Sequence, residues 1–160
     1  MYKIAPYLKY VRIAMVAVLL VFIVILQLGT GDSDAAIEDV VNAVISEIDT
    51  EGMEESTNRK LKKFYGLSAS DYEGTALYAP VSNMDATELL IVKLKDSEQA
   101  ESVQAAIEER LQKQKDSFEG YGIEQFALLE DSVLDVRGNY ILYAVHPDAD
   151  KIKQIFRESL

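Results

Sequence analysis

Chemistry in this chain would have to run through few residue types. His146 is the only histidine, and there is no cysteine. A histidine at the end of an apolar run, just before Pro147, could serve as a general base. It would act alone, because no serine lies in a nucleophile-elbow pattern and zinc would need ligands that the chain lacks. The plainer assignment is a strand-end histidine, whose removal should leave folding and partner binding nearly unchanged. Carboxylates are the other resource, and a glycosidase sets two of them across a cleft. Neighbouring acids occur at Asp32/Asp34, Glu54/Glu55, Glu130/Asp131 and Asp148/Asp150, but among 27 acids such pairs carry little information. Asp34 and Asp148 are placed to cap helices. The calcium-loop pattern with a central Gly and terminal Glu is absent, which leaves only weak surface binding of divalent cations. The sequence thus assigns no catalytic, cofactor-binding or metal-ligating residue, and the expectation is a protein that is not an enzyme.

Two other groups of residues suggest contact rather than catalysis. Arg59, Lys60, Lys62 and Lys63 form the only basic cluster beyond residue 28. They could meet an anionic wall polymer or a partner, although cations near a helix C-terminus also complement its dipole. Tyr65, Tyr72, Tyr78, Tyr121, Tyr140 and Tyr143 are numerous, and tyrosine is common at interfaces. Core or rim packing accounts for most of them. Tyr140 and Ile141 alternate and so face opposite sides of a strand.

The segment that must carry any such surface to its place of work lies at the N-terminus. Ile13 to Leu26 contains no polar side chain, and Val11 to Leu28 admits only Arg12 and Gln27. Eighteen residues make a helix of roughly 27 Å, close to a bilayer core. A core helix of this length would show a polar face; this one is apolar all round, as lipid requires. The expectation is a single transmembrane helix over 11–28. Lys3, Lys9 and Arg12 precede it, and Asp32, Asp34, Glu38 and Asp39 follow. The positive-inside rule then places 1–10 in the cytoplasm and the rest outside. Tyr7 and Tyr10 stand where interfacial aromatics belong. Gly29/Gly31 or Ser33/Ala35 could mark signal-peptide cleavage, but the apolar run is long, and a retained anchor is the preferred reading. Without cysteine there is no lipoprotein attachment.

Three basic residues and no acid precede Gly29, so the remainder carries 13 basic against 27 acidic residues, a formal charge of −14. Such a domain repels nucleic acid and anionic lipid at long range. The lack of cysteine mildly favours a bacterial origin. The remaining ~130 residues suffice for one core. Residues 29–34, GTGDSD, form a short linker, and 35–160 the extracytoplasmic domain.

Within that domain, Ile37, Val40, Val41, Val44, Ile45 and Ile48 recur at helical spacing, with Asp34 as cap and Gly52 as stop. STNRKLKKFYG reads as a second helix with Leu61, Phe64 and Tyr65 inward. EGTALYAP is a strand ending at Pro80. In ATELLIVKLKD, Leu90, Val92 and Leu94 take one face while Leu89 and Ile91 make the other apolar too, which places the strand centrally. Asp96 with Gln99 opens a long helix as in a capping box, with the stripe Val103, Ile107, Leu111 and Phe118. IEQFALLED (123–131) is ambiguous between turn and helix. SVLDVRGNYILYAVH reads as a hairpin turning at Gly138-Asn139. PDADKIKQIFRESL closes as a helix burying Ile152, Ile155 and Phe156. The order α-α-β-β-α-β-β-α predicts an α+β fold with a mainly antiparallel four-stranded sheet and helices packed on it.

The runs NRKLKKFYGLSASDYEGTALYAP, MDATELLIVKLKD, ERLQKQKDSFEGYG and GNYILYAVHPDADKI together resemble a family of small extracytoplasmic proteins of clostridia and related Gram-positive bacteria, classed as a domain of unknown function. The resemblance covers about residues 53–157. It implies a membrane or lipid anchor followed by one such domain, and it brings no catalytic residue. The functional expectation is a membrane-tethered binding or scaffolding module at the cell surface, whose partners are the bilayer, through 11–28, and an unknown protein or wall component. The alternative is a wall-acting enzyme that uses carboxylates.

Overall fold

The computed structural model describes residues 11, 15–19 and 31–160. The chain divides into two compact units, Met1–Gly31 and Asp32–Leu160. In the first, residues 15–19 are helical, and Met15, Val16, Val18 and Leu19 are all more than half exposed. The rest of the expected transmembrane span and the cytoplasmic segment 1–10 lie outside the described residues. Among the described residues no helix is long and apolar enough to cross a membrane.

The second unit is an α+β fold. Its elements are α1 (Ile37–Ile45), β1 (Met53–Glu55), α2 (Asn58–Tyr65), β2 (Gly74–Pro80), β3 (Glu88–Lys93), α3 (Gln99–Phe118), α4 (Ile123–Glu130), β4 (Val133–Arg137), β5 (Tyr140–Val145) and α5 (Ala149–Glu158). The sheet is antiparallel throughout, in the order β1-β2-β3-β5-β4. It therefore has five strands rather than the four expected. The added β1 is three residues long with two acids, so it shows no alternation to read. Backbone pairing of Met53 with Pro80 and Glu55 with Tyr78 builds it.

Helices cover both faces. Leu77, Leu90, Val92, Ile141, Tyr143 and Val145 meet Leu61 and Tyr65 of α2, Val103 and Ile107 of α3 and Leu129 of α4. Leu89, Ile91, Tyr140, Leu142 and Ala144 meet Val40, Val41 and Val44 of α1 and Ile152 and Phe156 of α5. Every residue of β3 and β5 is buried. That is the physical reason why the LLIV and YILYAV runs are apolar without alternation. Tyr140 and Ile141 fall in different cores, as their alternation requires.

Gly138 has φ +51°, whereas among the described residues no non-glycine residue has positive φ. Arg137 pairs with Tyr140 across it, so the two-residue turn is of the II′ kind, for which glycine at the first position is the suited residue. Gly74 answers a different demand. A Cβ there would lie 2.6 Å from the Ile37 side chain, so its absence lets α1 settle on β2.

Local expectations at helix ends are corrected. α1 stops at Ile45 instead of running to Gly52, and Ala36, not Asp34, occupies its N-cap. Thr57 and Asp148 stand at N-cap positions without side-chain cap bonds. Gln99 does accept from Asp96 N–H at 3.2 Å, while Asp96 accepts from Glu98 N–H at 2.9 Å. Residues 123–130 are helical, and Gln125 Oε1 takes the Ala86 N–H at 2.8 Å. Phe64, expected inward, is only partly buried.

The segment after the first unit is docked. Ser33 N–H donates to Asn139 Oδ1 at 2.8 Å, Asn139 Nδ2 donates to Ser33 O at 3.1 Å, and Ser33 Oγ donates to Leu160 O at 2.8 Å. Tyr140 Oη donates to Ala35 O at 2.6 Å. Residues 33–35 are thereby fixed to the β4–β5 turn and the C-terminus.

Candidate functional site

Glu88 opens β3 and is wholly buried. A strand apolar on both faces has no wet side to receive a charge, so the carboxylate must be paired. Three elements supply partners. Arg110 of α3 donates through Nη2 to Oε2 at 2.7 Å and through Nε to Oε1 at 3.4 Å. Gln114, one turn on, donates through Nε2 to Oε2 at 3.3 Å. Tyr65 of α2 donates its hydroxyl to Oε1. The i, i+4 spacing puts Arg110 and Gln114 on one face of α3, and Tyr65 lies on the buried stripe of α2 with Leu61.

The electrostatics fix the charge states of these partners. Burial, reinforced by the Glu88 charge, holds the Tyr65 phenol well above its ordinary range, and the same two causes push Tyr143 up. Both phenols are neutral at physiological pH and are not bases. Burial pulls Arg110 down, but its hydrogen bond to Glu88 and the Glu88 charge outweigh this and hold the guanidinium above its ordinary value. The group is one carboxylate locked to one arginine, with neutral donors around it.

Arg110 and Gln114 of this cluster line a pocket of about 350 Å³ bounded by α2, α3 and the β2–β3 loop, with the buried Glu88 behind them. Lys60, Lys63 and Phe64 form one wall, Arg110, Gln114, Ser117 and Phe118 another, and Pro80 to Asn83 with Asp85 the third. The Arg110 guanidinium stacks 4.0 Å over the Phe64 ring. Lys60 is partly held, at 3.1 Å from Glu54, whereas Lys63 has no ion-pair partner among the described residues. Exposed Val81 and Met84 rim the loop, and Tyr121, also exposed, packs on Phe118. A larger hollow of about 490 Å³ lies between α1 and α5, but no buried polar side chain reaches it.

The residues singled out by sequence are only partly brought together. Lys60 and Lys63 of the basic cluster reach the pocket, and the cluster thus does more than sit at the end of a helix. Tyr65 is in the network, Tyr72 and Tyr140 are core, and Tyr121 is exposed. His146 is remote from the pocket. Its Nδ1 accepts from Asp148 N–H at 2.9 Å and its Nε2 faces Asp49 O at 2.9 Å, so it acts as a staple between two backbone segments. The other buried carboxylate, Asp135, pairs in register with Leu142 and so lies on the opposite sheet face. Arg157 grips it through Nη2 at 2.7 Å and Nε at 2.9 Å. Burial would raise its carboxyl, but Arg157, then Arg137 and Lys153, hold it below the usual range. The two buried carboxylates cannot work as an acid–base pair across one cleft. No group of three or more metal-ligating side chains converges among the described residues.

Glu88, Arg110 and Gln114 were missed by sequence reasoning. The usable signal was a charged residue opening a strand with no solvent face.

No curated protein and no solved structure matches the chain. A family model does match, over residues 46–146, from the end of α1 to His146, and this span contains the pocket but neither α1 nor α5. The chain belongs to that family, the domain of unknown function DUF4358.

Proposed function

We propose that this protein is a binding module tethered to the outer face of a bacterial membrane, with residues 11–28 as a retained anchor and the pocket over Glu88 as its ligand site. The observation that carries the binding reading is the floor of that pocket. Its buried carboxylate is tied up by Arg110, Tyr65 and Gln114, and the pocket wall adds the single carboxylate Asp85 to its cations, amides and hydroxyls. This is the equipment of recognition, in which a few fixed polar groups orient a ligand against apolar walls. Hydrolysis through carboxylates would call for a free acid and base facing each other. The tether reading is supported by the unbroken apolar run 13–26 and by the exposure of all of residues 15–19, which together go round a helix. The resemblance to envelope proteins of Gram-positive bacteria points the same way.

Intact cells test the tether. After a carbonate wash the full-length chain should stay in the membrane pellet, and protease added outside should digest the domain. A released mature form starting near Asp32 or Ala36 would refute the retained anchor. The binding reading predicts saturable ligand uptake without turnover, and a product accumulating from a bound ligand would overturn it.

A further inference from the structure

We infer that the pocket takes an acidic, hydroxyl-bearing ligand, a carboxylate or phosphate carried on a sugar or polyol. The inference rests on the binding-module reading and takes its chemistry from the pocket alone.

The anionic preference comes from three cations, Lys60, Lys63 and Arg110, against one lining carboxylate, Asp85, in one small pocket of a strongly acidic chain; Lys60 is partly held by Glu54. Among the described residues Lys63 has no ion-pair partner, and Arg110 uses Nε and Nη2 on Glu88 while its Nη1 carries no hydrogen bond to any of them. A guanidinium pinned by a carboxylate and an aromatic ring is pre-organised, so little entropy is lost when its remaining donors are used. The acidic surface elsewhere acts only within a Debye length of about 8 Å, so a small anion is not turned away. The hydroxyl preference comes from Gln114. Its Nε2 must face the carboxylate, which leaves Oε1 buried with no hydrogen-bond partner, in a residue 5% exposed that lines the pocket. An unpaired buried acceptor is a standing cost, and a ligand O–H removes it.

The same chemistry could belong to a lipid headgroup or to a soluble or wall-borne acid. Vesicles separate the two in the experiment below.

The experiment is titration calorimetry on the full-length chain in nonionic detergent at constant ionic strength, with D-glucuronate, inorganic phosphate and D-glucose as probes. Glucuronate should bind most tightly, and equal affinity for glucose or for phosphate would overturn the proposal. Lys63→Glu should weaken glucuronate at least tenfold. Lys62→Glu, an equal charge change on a residue that does not line this pocket, should leave it within about twofold. Equal losses in both variants, or no loss in either, would refute the site. A last arm adds vesicles of phosphatidylglycerol to the protein held in phosphatidylcholine nanodiscs. Lys63-dependent capture would assign the ligand to a lipid headgroup, and its absence assigns it to a soluble or wall-borne acid. The calorimetry does not depend on where the anchor sits, so a failed site and a failed tether are told apart.

Discussion

Arg110→Met isolates the element on which the pocket is built. Methionine keeps most of the aliphatic stem and the contact with Phe64, but it leaves Glu88 wholly buried with only Tyr65 and Gln114 as donors. Removing one partner of a buried ion pair costs about 3–5 kcal/mol, because the remaining charge is uncompensated. The Arg110 side chain is 16% exposed and that of Glu88 0%, so solvent cannot step in as it does for surface pairs. For a domain of this size, with a total stability of about 5–15 kcal/mol, the loss is about a fifth or more and should lower Tm by roughly 10–20 °C. Urea denaturation followed by far-ultraviolet circular dichroism gives the number directly. Lys113→Met is the control one turn along α3. It breaks an exposed pair with Glu109 and should be indistinguishable from wild type, because such pairs contribute little. A loss under about 1 kcal/mol for Arg110→Met would refute the reasoning, since it would mean that Glu88 is solvated or neutral and that the pocket floor is not an ion pair.

Leu90→Ala should cost about 2–5 kcal/mol, because Leu90 is fully buried between β5 and the α3 stripe; a silent variant would contradict the central place of β3. His146→Ala, which sequence reasoning expected to be nearly silent, should instead cost about 1–3 kcal/mol, because two backbone hydrogen bonds go with it; unchanged urea midpoints would restore the simpler view. Asp135→Asn should destabilise at neutral pH and converge with wild type in acid. The folded carboxyl sits below its ordinary value, so the stabilisation is present above about pH 4 and is lost as pH falls through the lowered value. Parallel melting curves at pH 7 and pH 3 measure that convergence, and a constant gap would refute it.

The sheet was legible in sequence wherever its residues had to satisfy burial by themselves. LLIV and YILYAV are apolar without alternation because helices lie on both sides, and Gly138-Asn139 marks a turn that only a few residue types make easily. The fifth strand was not legible because MEE pairs through backbone atoms, and its side chains need be nothing in particular. Helix ends misled for a related reason: Asp34 is a competent cap, but Ser33 on its N-terminal side is drawn to Asn139 and Leu160, and tertiary docking overrides the local preference. Of the pocket, the cations Lys60 and Lys63 could be picked out by clustering. Glu88 and Arg110 could not, because they stand 22 positions apart, one on a strand and one on a helix, and neither stands out among 27 acids and 16 basic residues. Only the fold shows that this acid has no route to water.

Glu88 and Lys93 bracket β3, and five positions of separation put them on opposite faces. Each finds its partners only on its own side. Glu88 meets Arg110, Gln114 and Tyr65 under α2 and α3. Lys93 meets Glu73 at 2.7 Å, with its ammonium 5.7 Å from the centre of the Tyr140 ring beside the α1–α5 core. The apolar residues between them, Leu89 to Val92, fit either face almost equally well, so they do little to fix register. A slip of one residue would exchange the faces and carry Glu88 to the layer whose arginine, Arg157, is already committed to Asp135. We therefore expect the buried pair to specify pairing more than it adds stability. The double variant Glu88→Met, Arg110→Met should recover most of what Arg110→Met alone loses, as replaced buried pairs do elsewhere. Its β3 amides, Leu89 to Val92, should nevertheless exchange with deuterium faster than those of wild type at matched global stability. If their protection is unchanged in the double variant, the register is held by packing alone and the pair has no specifying role.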